Sequence, residues 1–497
     1  MPRTLLVLAA LTLVPRLSAE EAVEEKMAPP VVAALAQDRP VPVIVLCRSQ
    51  LLAMPAGFDA FCRENAGGKR SELRREVIAK LKALAANGEQ EAVLKAAGAP
   101  DGAERLWIVN AVVATLSPAK IRNVAALDAV RYVYAGTERA PAAGPGRVSE
   151  VIARGKRGPF SAEGLVVPWN LEKIGAVRVW KERALAGEGV VVAMLDAGTN
   201  YAHEDLRGNI WRNPRETPNN GKDDDGNGYV DDLYGYDFET GTCEVRAAGP
   251  QQHGTWTAGI VAGDGAGGTV TGVAPRAQLM LLKGMSTRGA ALAIQYALEH
   301  GADILNMSFS IPGLGNGRGF WRLMSEQAVC AGLVLVSGCG NFQQQQPIPV
   351  QIRIPEGIPC VIGAGGLDQD LNVPKFCSLG PVEWASVRFY GDHPHPPGLT
   401  KPDVCGFTGP GYPVLAAADK GYIDPNTKIQ GNSFSSPHIS GVAALMLSAA
   451  PELPAWRVRE ILEATAADVG EKGKDNRTGA GLARAWEAVR GAEEAVK

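Results

Sequence analysis

Most of the compositional features that would announce a function are missing. Cysteine is scarce, with 8 among 497 residues, which is too dilute for a disulfide-built scaffold. No Cys-x-x-Cys pair suggests a zinc or dithiol centre. An excess of one charge is also absent: 50 Lys plus Arg stand against 53 Asp plus Glu, a formal net charge of −3, so nothing global advertises nucleic acid or an anionic membrane. Long apolar runs are lacking as well. The only uninterrupted one, Leu5–Val14, falls short of the roughly 20 residues that cross a bilayer, which excludes stable membrane insertion. What is abundant is glycine, 58 of 497, about 12% against an average near 7%. It lacks the every-third-residue period of a collagen chain, so tight turns and close backbone approaches are expected.

The length suits two or three domains. Residues 1–19 pair a basic Arg3 with an apolar core and end in Ser18-Ala19, the form of a secretory signal, so a secreted, periplasmic or extracellular destination is expected. In that compartment some cysteines could pair, in a connectivity the sequence does not reveal. Residues 38–137 read as a small α+β module. A valine-rich strand at Val41–Cys47 is followed by a helix at Ser71–Ala86 capped by Ser71. An extended run, Arg105–Leu116, leads to a helix opened by Ser117-Pro118 and a strand at Val130–Tyr134. Residues 138–164 read as a Pro/Gly-rich linker with an exposed basic Arg154–Gly158 site. From 165 to 490, apolar runs at Val190–Leu195, Gln278–Leu282, Asp303–Met307, Leu333–Val336 and Pro359–Ile362 alternate with helical stretches such as Ala290–Glu299 and Trp321–Ala331. Unbroken apolar strands separated by helices predict an α/β domain with a parallel sheet covered on both faces.

Such a sheet presents its functional groups at the carboxyl ends of its strands, and three places look like those ends. Asp196 follows the first apolar run and enters a turn at Gly198. His253 begins a segment rich in small residues, His253-Gly254-Thr255-Trp256-Thr257-Ala258-Gly259, which could pack closely while its first turn holds an imidazole. Ser433 stands just after Gly431, at the head of a long stretch of small and apolar residues. A serine there is ordinarily a helix cap, but free N–H groups and the helix dipole also suit it to stabilising an oxyanion. The other histidines lack such settings and read as structural or surface residues.

The segments Asp196-Ala197-Gly198, His253-Gly254-Thr255-x-x-Ala258-Gly259 and Gly431-x-Ser433-x-x-x-Pro437-His438, 57 and 180 residues apart, resemble the subtilisin-like serine proteases, whose triad runs in the order Asp, His, Ser. The resemblance covers roughly Val167–Val489. It implies that His253 takes the Ser433 proton and that Asp196 orients the imidazole. The matching strand-then-Gly-Asn form of Val336–Asn341 implies that Asn341 donates to the oxyanion. It implies that Ser308, Phe309 and Ser310 bind the extended backbone of protein or peptide substrates by β-augmentation. No cofactor is required for this chemistry. By the same resemblance the amino-terminal module, ferredoxin-like in type, is an inhibitory propeptide acting within its own chain, cut away in the linker. Ala197, Asn432 and Ser310 depart from the usual family residues, so a catalytically weak or inactive peptide-binding relative stands as the alternative to a secreted endopeptidase.

Independently of the resemblance, residues 219–237 pack six aspartates into a Gly-rich loop. Hard oxygen ligands alternating at Asp223, Asp225 and Asn227, with Asp231 beyond, suggest a structural Ca²⁺. Tyr234 stands where an EF-hand needs a bidentate Glu, so a true EF-hand is excluded, and a merely solvated acidic loop is the competing reading.

Overall fold

The computed structural model describes residues 19–37, 39–137, 146–153, 158–247 and 252–497. The expected signal up to Ser18, the head of the linker at 138–145 and the basic Arg154–Arg157 lie outside the described residues. All eight cysteines are unpaired; seven are buried, where they act as small apolar side chains.

The amino-terminal unit is a four-stranded antiparallel sheet of β1 (Val41–Cys47), β2 (Glu104–Leu106), β3 (Ala111–Leu116) and β4 (Val130–Ala135), in the order β2-β3-β1-β4. Helices Gly57–Glu64, Arg70–Ala85 and Glu89–Ala97 join β1 to β2, and Pro118–Ala125 joins β3 to β4. This is the β-α-β-β-α-β arrangement of a ferredoxin-like module. Two expectations need correcting. The single run Arg105–Leu116 is a hairpin that pairs Leu106 with Ala111, and it turns at Asn110, whose φ of 39° asparagine tolerates better than other side chains. Ser71 does not cap its helix; its N–H and hydroxyl both donate to Glu452, at 3.0 and 2.8 Å, so it serves the contact between units.

The second unit is built on seven parallel strands: β5 (Val191–Leu195), β6 (Gly235–Asp237), β7 (Gln278–Lys283), β8 (Ile304–Met307), β9 (Val334–Gly338), β10 (Ile362–Leu367) and β11 (Val404–Phe407), ordered β11-β10-β9-β8-β5-β7-β6. Helices cover both faces, so the apolar runs are buried throughout. Strand β10 takes only the last residue of the expected Pro359–Ile362 and runs on from it, while the residues before it form a turn with Val361 N–H bonded to Ile358 C=O. The strand uses Gly363, Gly365 and Gly366 because side chains there would collide: a Cβ on Gly366 would lie 2.1 Å from Thr408 and 2.2 Å from Asn432. Strands β6 and β11 escaped the sequence reading because one is short and polar and the other is broken by Gly406. From β5 the chain goes to the edge strand β6, returns to β7 and then crosses to β8 on the other side of β5, so β5 lies at the point where strand order reverses. That is the place where open α/β sheets form clefts.

The two units meet on the helices Thr287–Glu299 and Gly317–Cys330. Gln295 Oε1 accepts the N–H groups of Trp107 and Ile108 at 2.6 and 3.1 Å. Gln327 accepts Leu51 N–H and donates to the Ile108 carbonyl. Arg288, with 5% of its side chain exposed, forks onto Glu104. Replacing Arg288 with Ala would remove this two-pronged ion pair between the units. Hydrogen exchange over β2 is therefore expected to speed up about tenfold or more, the scale of one charge-assisted bond, with only partial recovery in Arg288→Lys. Unchanged exchange would show that the fork does not hold the module.

Candidate active site

Asp196 sits directly after β5, held by its own N–H to Leu282 C=O of β7. The helix His253–Ala262 presents His253 at its first residue, with Nδ1 2.9 Å from both Asp196 carboxylate oxygens. Such an approach requires the helix and the turn after Asp196 to touch. A Cβ on Gly254 would lie 2.2 Å from Gly198 O, and Gly198 itself has φ +116°, so glycine is needed on both sides of the contact. The Asp196 oxygens also receive Ala197 N–H at 2.7 Å and Thr257 Oγ1 at 3.3 Å. Thr257, four residues beyond His253 and so on the same helix face, was not singled out from the sequence, although that spacing was visible.

The aspartate is nearly buried, while the imidazole keeps about 33% of its side chain exposed toward the cleft. Burial pulls the His253 pKa down, but the Asp196 charge and hydrogen bond outweigh it, leaving it above the ordinary histidine value. The arrangement makes Nδ1–H the donor and frees Nε2 to act as a base.

The helix Asn432–Ala449 places half-buried Ser433 in its first turn. Trp256, on the His253 helix, packs its ring 6.0 Å from that of Phe434, which brings the two helix starts together. Ser433 Oγ donates to Ser308 C=O at 3.2 Å, and among the described residues it makes no hydrogen bond to His253. Asn341 Oδ1 accepts Asn432 N–H at 2.9 Å, an engagement that turns its Nδ2 toward Gly431, 3.2 Å from where a Cβ would stand. Its amide donor is therefore beside the turn that leads into Ser433. Asn432 is buried, and its own amide donates to Gly340 C=O, bracing the same turn.

Ser308, Phe309 and Ser310 continue from β8. Ser308 Oγ bonds to Asn306, Ser436 and the Ser433 carbonyl, so its hydroxyl holds the helix start. Phe309 and Ser310 carry no main-chain hydrogen bond to other described residues, leaving an open edge for an extended chain. Ser310 Oγ donates to buried Glu356 at 2.7 Å. Of the remaining histidines, His203 and His438 are fully buried, and burial depresses His438 to about 4, which keeps it neutral.

The sequence model described as the Subtilase family matches residues 187–481. This chain belongs to the subtilase family. It is 29% identical to Fervidolysin of Fervidobacterium pennivorans over 345 residues, covering 65% of this chain and 44% of that protein. It is 26% identical to Subtilisin DY of Bacillus licheniformis, covering 61% and 93%. It is 25% identical to Subtilisin-like protease 1 of Plasmodium berghei, covering 56% and 45%. The chain thus spans less than half the length of Fervidolysin and of the Plasmodium protein.

Elsewhere on this subtilase, the acidic loop brings together only part of the expected set. Asp223, Asp225 and Glu216 offer oxygens that all lie within 4.8 Å of one another. Glu216 was overlooked because it precedes the aspartate run. Asp231 is engaged by Asn220 and Gly221 N–H groups at 3.0 and 2.9 Å and shapes the turn apart from that cluster, whereas Asn227, whose Oδ1 accepts Tyr229 N–H, donates its own N–H to Asp223 and Asp225 at 3.1 Å each and so braces the cluster through its backbone. Glu216 Oε2 is buried without a partner. Burial, aided by Asp232, lifts its carboxyl to about 7.

The His253 environment fixes the direction of its titration. Observed by NMR, its imidazole is expected to titrate above about 6.5, the ordinary midpoint. In Asp196→Asn it should titrate below that value, since burial then acts without the compensating charge. A wild-type midpoint at or below 6.5 would contradict the coupling.

Proposed function

We propose that this subtilase is an exported serine endopeptidase that cleaves peptide bonds through an acyl-enzyme. The observation that carries the reading is the Asp196–His253 pair facing a helix start that holds Ser433 beside the Asn341 amide. In this mechanism Ser433 Oγ turns from Ser308 C=O toward His253 Nε2 and gives up its proton as it attacks the substrate carbonyl. Asp196 stabilises the resulting imidazolium. The oxyanion is received by Asn341 Nδ2 and by N–H groups at the head of the Asn432–Ala449 helix. Collapse of the tetrahedral adduct returns the His253 proton to the leaving amine. Water, activated by the same histidine, then hydrolyses the ester. Phe309 and Ser310 pair with the substrate backbone.

The amino-terminal module is read as a propeptide that inhibits its own chain until cleavage in the linker. Its seat on Gln295, Gln327 and Arg288 supports this. Export is supported by the signal-like form of residues 1–19. No helix among the described residues is long and apolar enough to cross a membrane. The Ser433–Ser308 bond favours the rival reading, a peptide-binding protein whose serine is idle. A fluorophosphonate probe separates the two. Labelling and linker cleavage are expected in the wild type and lost in Ser433→Ala, and Asn341→Ala should lower turnover by about 10² to 10³. Failure of the processed wild type to label would favour the binding protein.

Ca²⁺ is read as a structural ion held by Glu216, Asp223 and Asp225, whose unpartnered Glu216 oxygen fits a hard cation. It takes no part in the chemistry. Chelator is expected to lower the melting midpoint of the wild type but hardly that of Glu216→Gln. Equal midpoints with and without chelator in the wild type would leave only a solvated acidic loop.

A further inference from the structure

The two segments that flank Ser433 diverge beyond the site and enclose a cavity of about 360 Å³. One wall continues from Ser308–Ser310 into Ile311 and Leu314. The other follows Asn341 and Phe342 and returns through Pro349, Ile352 and Arg353. Ile311 N–H donates to Ile354 C=O at 2.7 Å, tying the walls together at the cavity. Its lining starts at Ile311, three residues past the Ser308 carbonyl that Ser433 Oγ touches, and includes Arg353, which lies over Phe342 next to Asn341, so the cavity opens off the two segments that flank Ser433.

The charges in that cavity are all of one sign. Arg318 and Arg353 line it, and no aspartate or glutamate does. Arg318 is engaged, donating to the Glu383 carbonyl and stacking over Trp384. Arg353 is half-buried, with its guanidinium 3.5 Å above the ring of Phe342, and among the described residues it donates no side-chain hydrogen bond and forms no ion pair. A stacked guanidinium keeps its edge donors in the ring plane, free for a planar anion. The nearest acid is Glu356, which is fully buried behind the wall. Its Oε1 is taken by Ser310 Oγ and Arg353 N–H at 2.7 and 3.0 Å, and its side chain is not part of the cavity lining. Beyond the longer-range attraction to Glu356, the half-buried guanidinium is left with donors that a ligand carboxylate could take.

We infer that this cavity selects substrates with an acidic side chain, Glu or Asp, at the residue whose carbonyl is attacked, and that Arg353 is the specificity-determining residue. The apolar walls accept the methylene stem and the guanidinium fork takes the carboxylate. A site built to bind a charged group rejects the neutral analogue because the arginine is then left unpaired. The inference rests on the serine-peptidase reading.

Fluorogenic peptides that differ only in Glu, Gln or Lys before the cleaved bond test it, assayed on the processed wild-type chain and on Arg353→Gln and Arg353→Lys. Fluorophosphonate labelling is run in parallel. The Glu peptide is expected to exceed Gln in kcat/KM by about 10- to 100-fold in the wild type, with Lys poorest. Arg353→Gln should erase that ratio while labelling persists, and Arg353→Lys should restore part of it. A wild type that labels but cleaves Gln or Lys peptides as fast as Glu overturns the inference and leaves the peptidase reading intact. So does an Arg353→Gln variant that labels and keeps the ratio. Absence of labelling in the wild type overturns both.

Discussion

The site depends on how closely one helix can approach the ends of β8, β9 and β10. The helix Asn432–Ala449 is buried almost along its whole length, and it reaches the sheet only because side chains are missing at the contact. A Cβ on Gly338 would lie 2.4 Å from Asn432 O, and one on Gly441 would lie 2.5 Å from Val273. Pro437 stands inside this helix, where it removes the N–H that would bond the Ser433 carbonyl four residues earlier. That carbonyl is received instead by Ser308 Oγ at 3.0 Å, while Ser433 Oγ donates to Ser308 C=O. A defect in the helix thus becomes a reciprocal clasp between Ser433 and the segment that continues from β8. The proline fixes where the serine stands without engaging its hydroxyl in the helix.

The electrostatics follow from that packing. Asp196 is nearly dry, and an isolated buried carboxylate is costly. It is held by Ala197 N–H, Thr257 Oγ1 and the His253 imidazole, so its charge is compensated by the same group whose pKa it raises. Because the imidazole remains a third exposed, it stays open to a reacting proton.

What could be read from the sequence was whatever is local in the chain. Asp196, His253 and Ser433 each sit in a short segment whose small residues are needed for a close approach nearby, and the structure brings Asp196 and His253 into contact. The parallel sheet was legible because strands covered on both faces are unbroken apolar runs. What escaped depends on distant partners. Glu216 joins Asp223 and Asp225 only once the loop folds back. Arg353 acquires its meaning from Phe342 and Ile311, and Ser71 gives up a cap for Glu452, 381 residues away. β10 was misplaced because its glycines, which weaken a strand by propensity, are demanded by Pro402, Thr408 and Asn432 pressing against it.

One helix connects the parts that seem separate in sequence. Thr287–Glu299 bears Arg288 and Gln295, which hold the amino-terminal module, and Tyr296, whose hydroxyl donates to Asp232 of the acidic loop at 2.7 Å. At its end His300 stacks on Tyr296, with ring centroids 4.0 Å apart, and its Nε2 meets Asn227 Nδ2 at 3.2 Å. The helix also packs against β5 and β7, the strands that deliver and brace Asp196. Order in the acidic loop therefore supports the same surface on which the module sits, and that surface backs the strand that leads into Asp196. By gripping this helix, the amino-terminal module braces the part of the sheet from which Asp196 emerges.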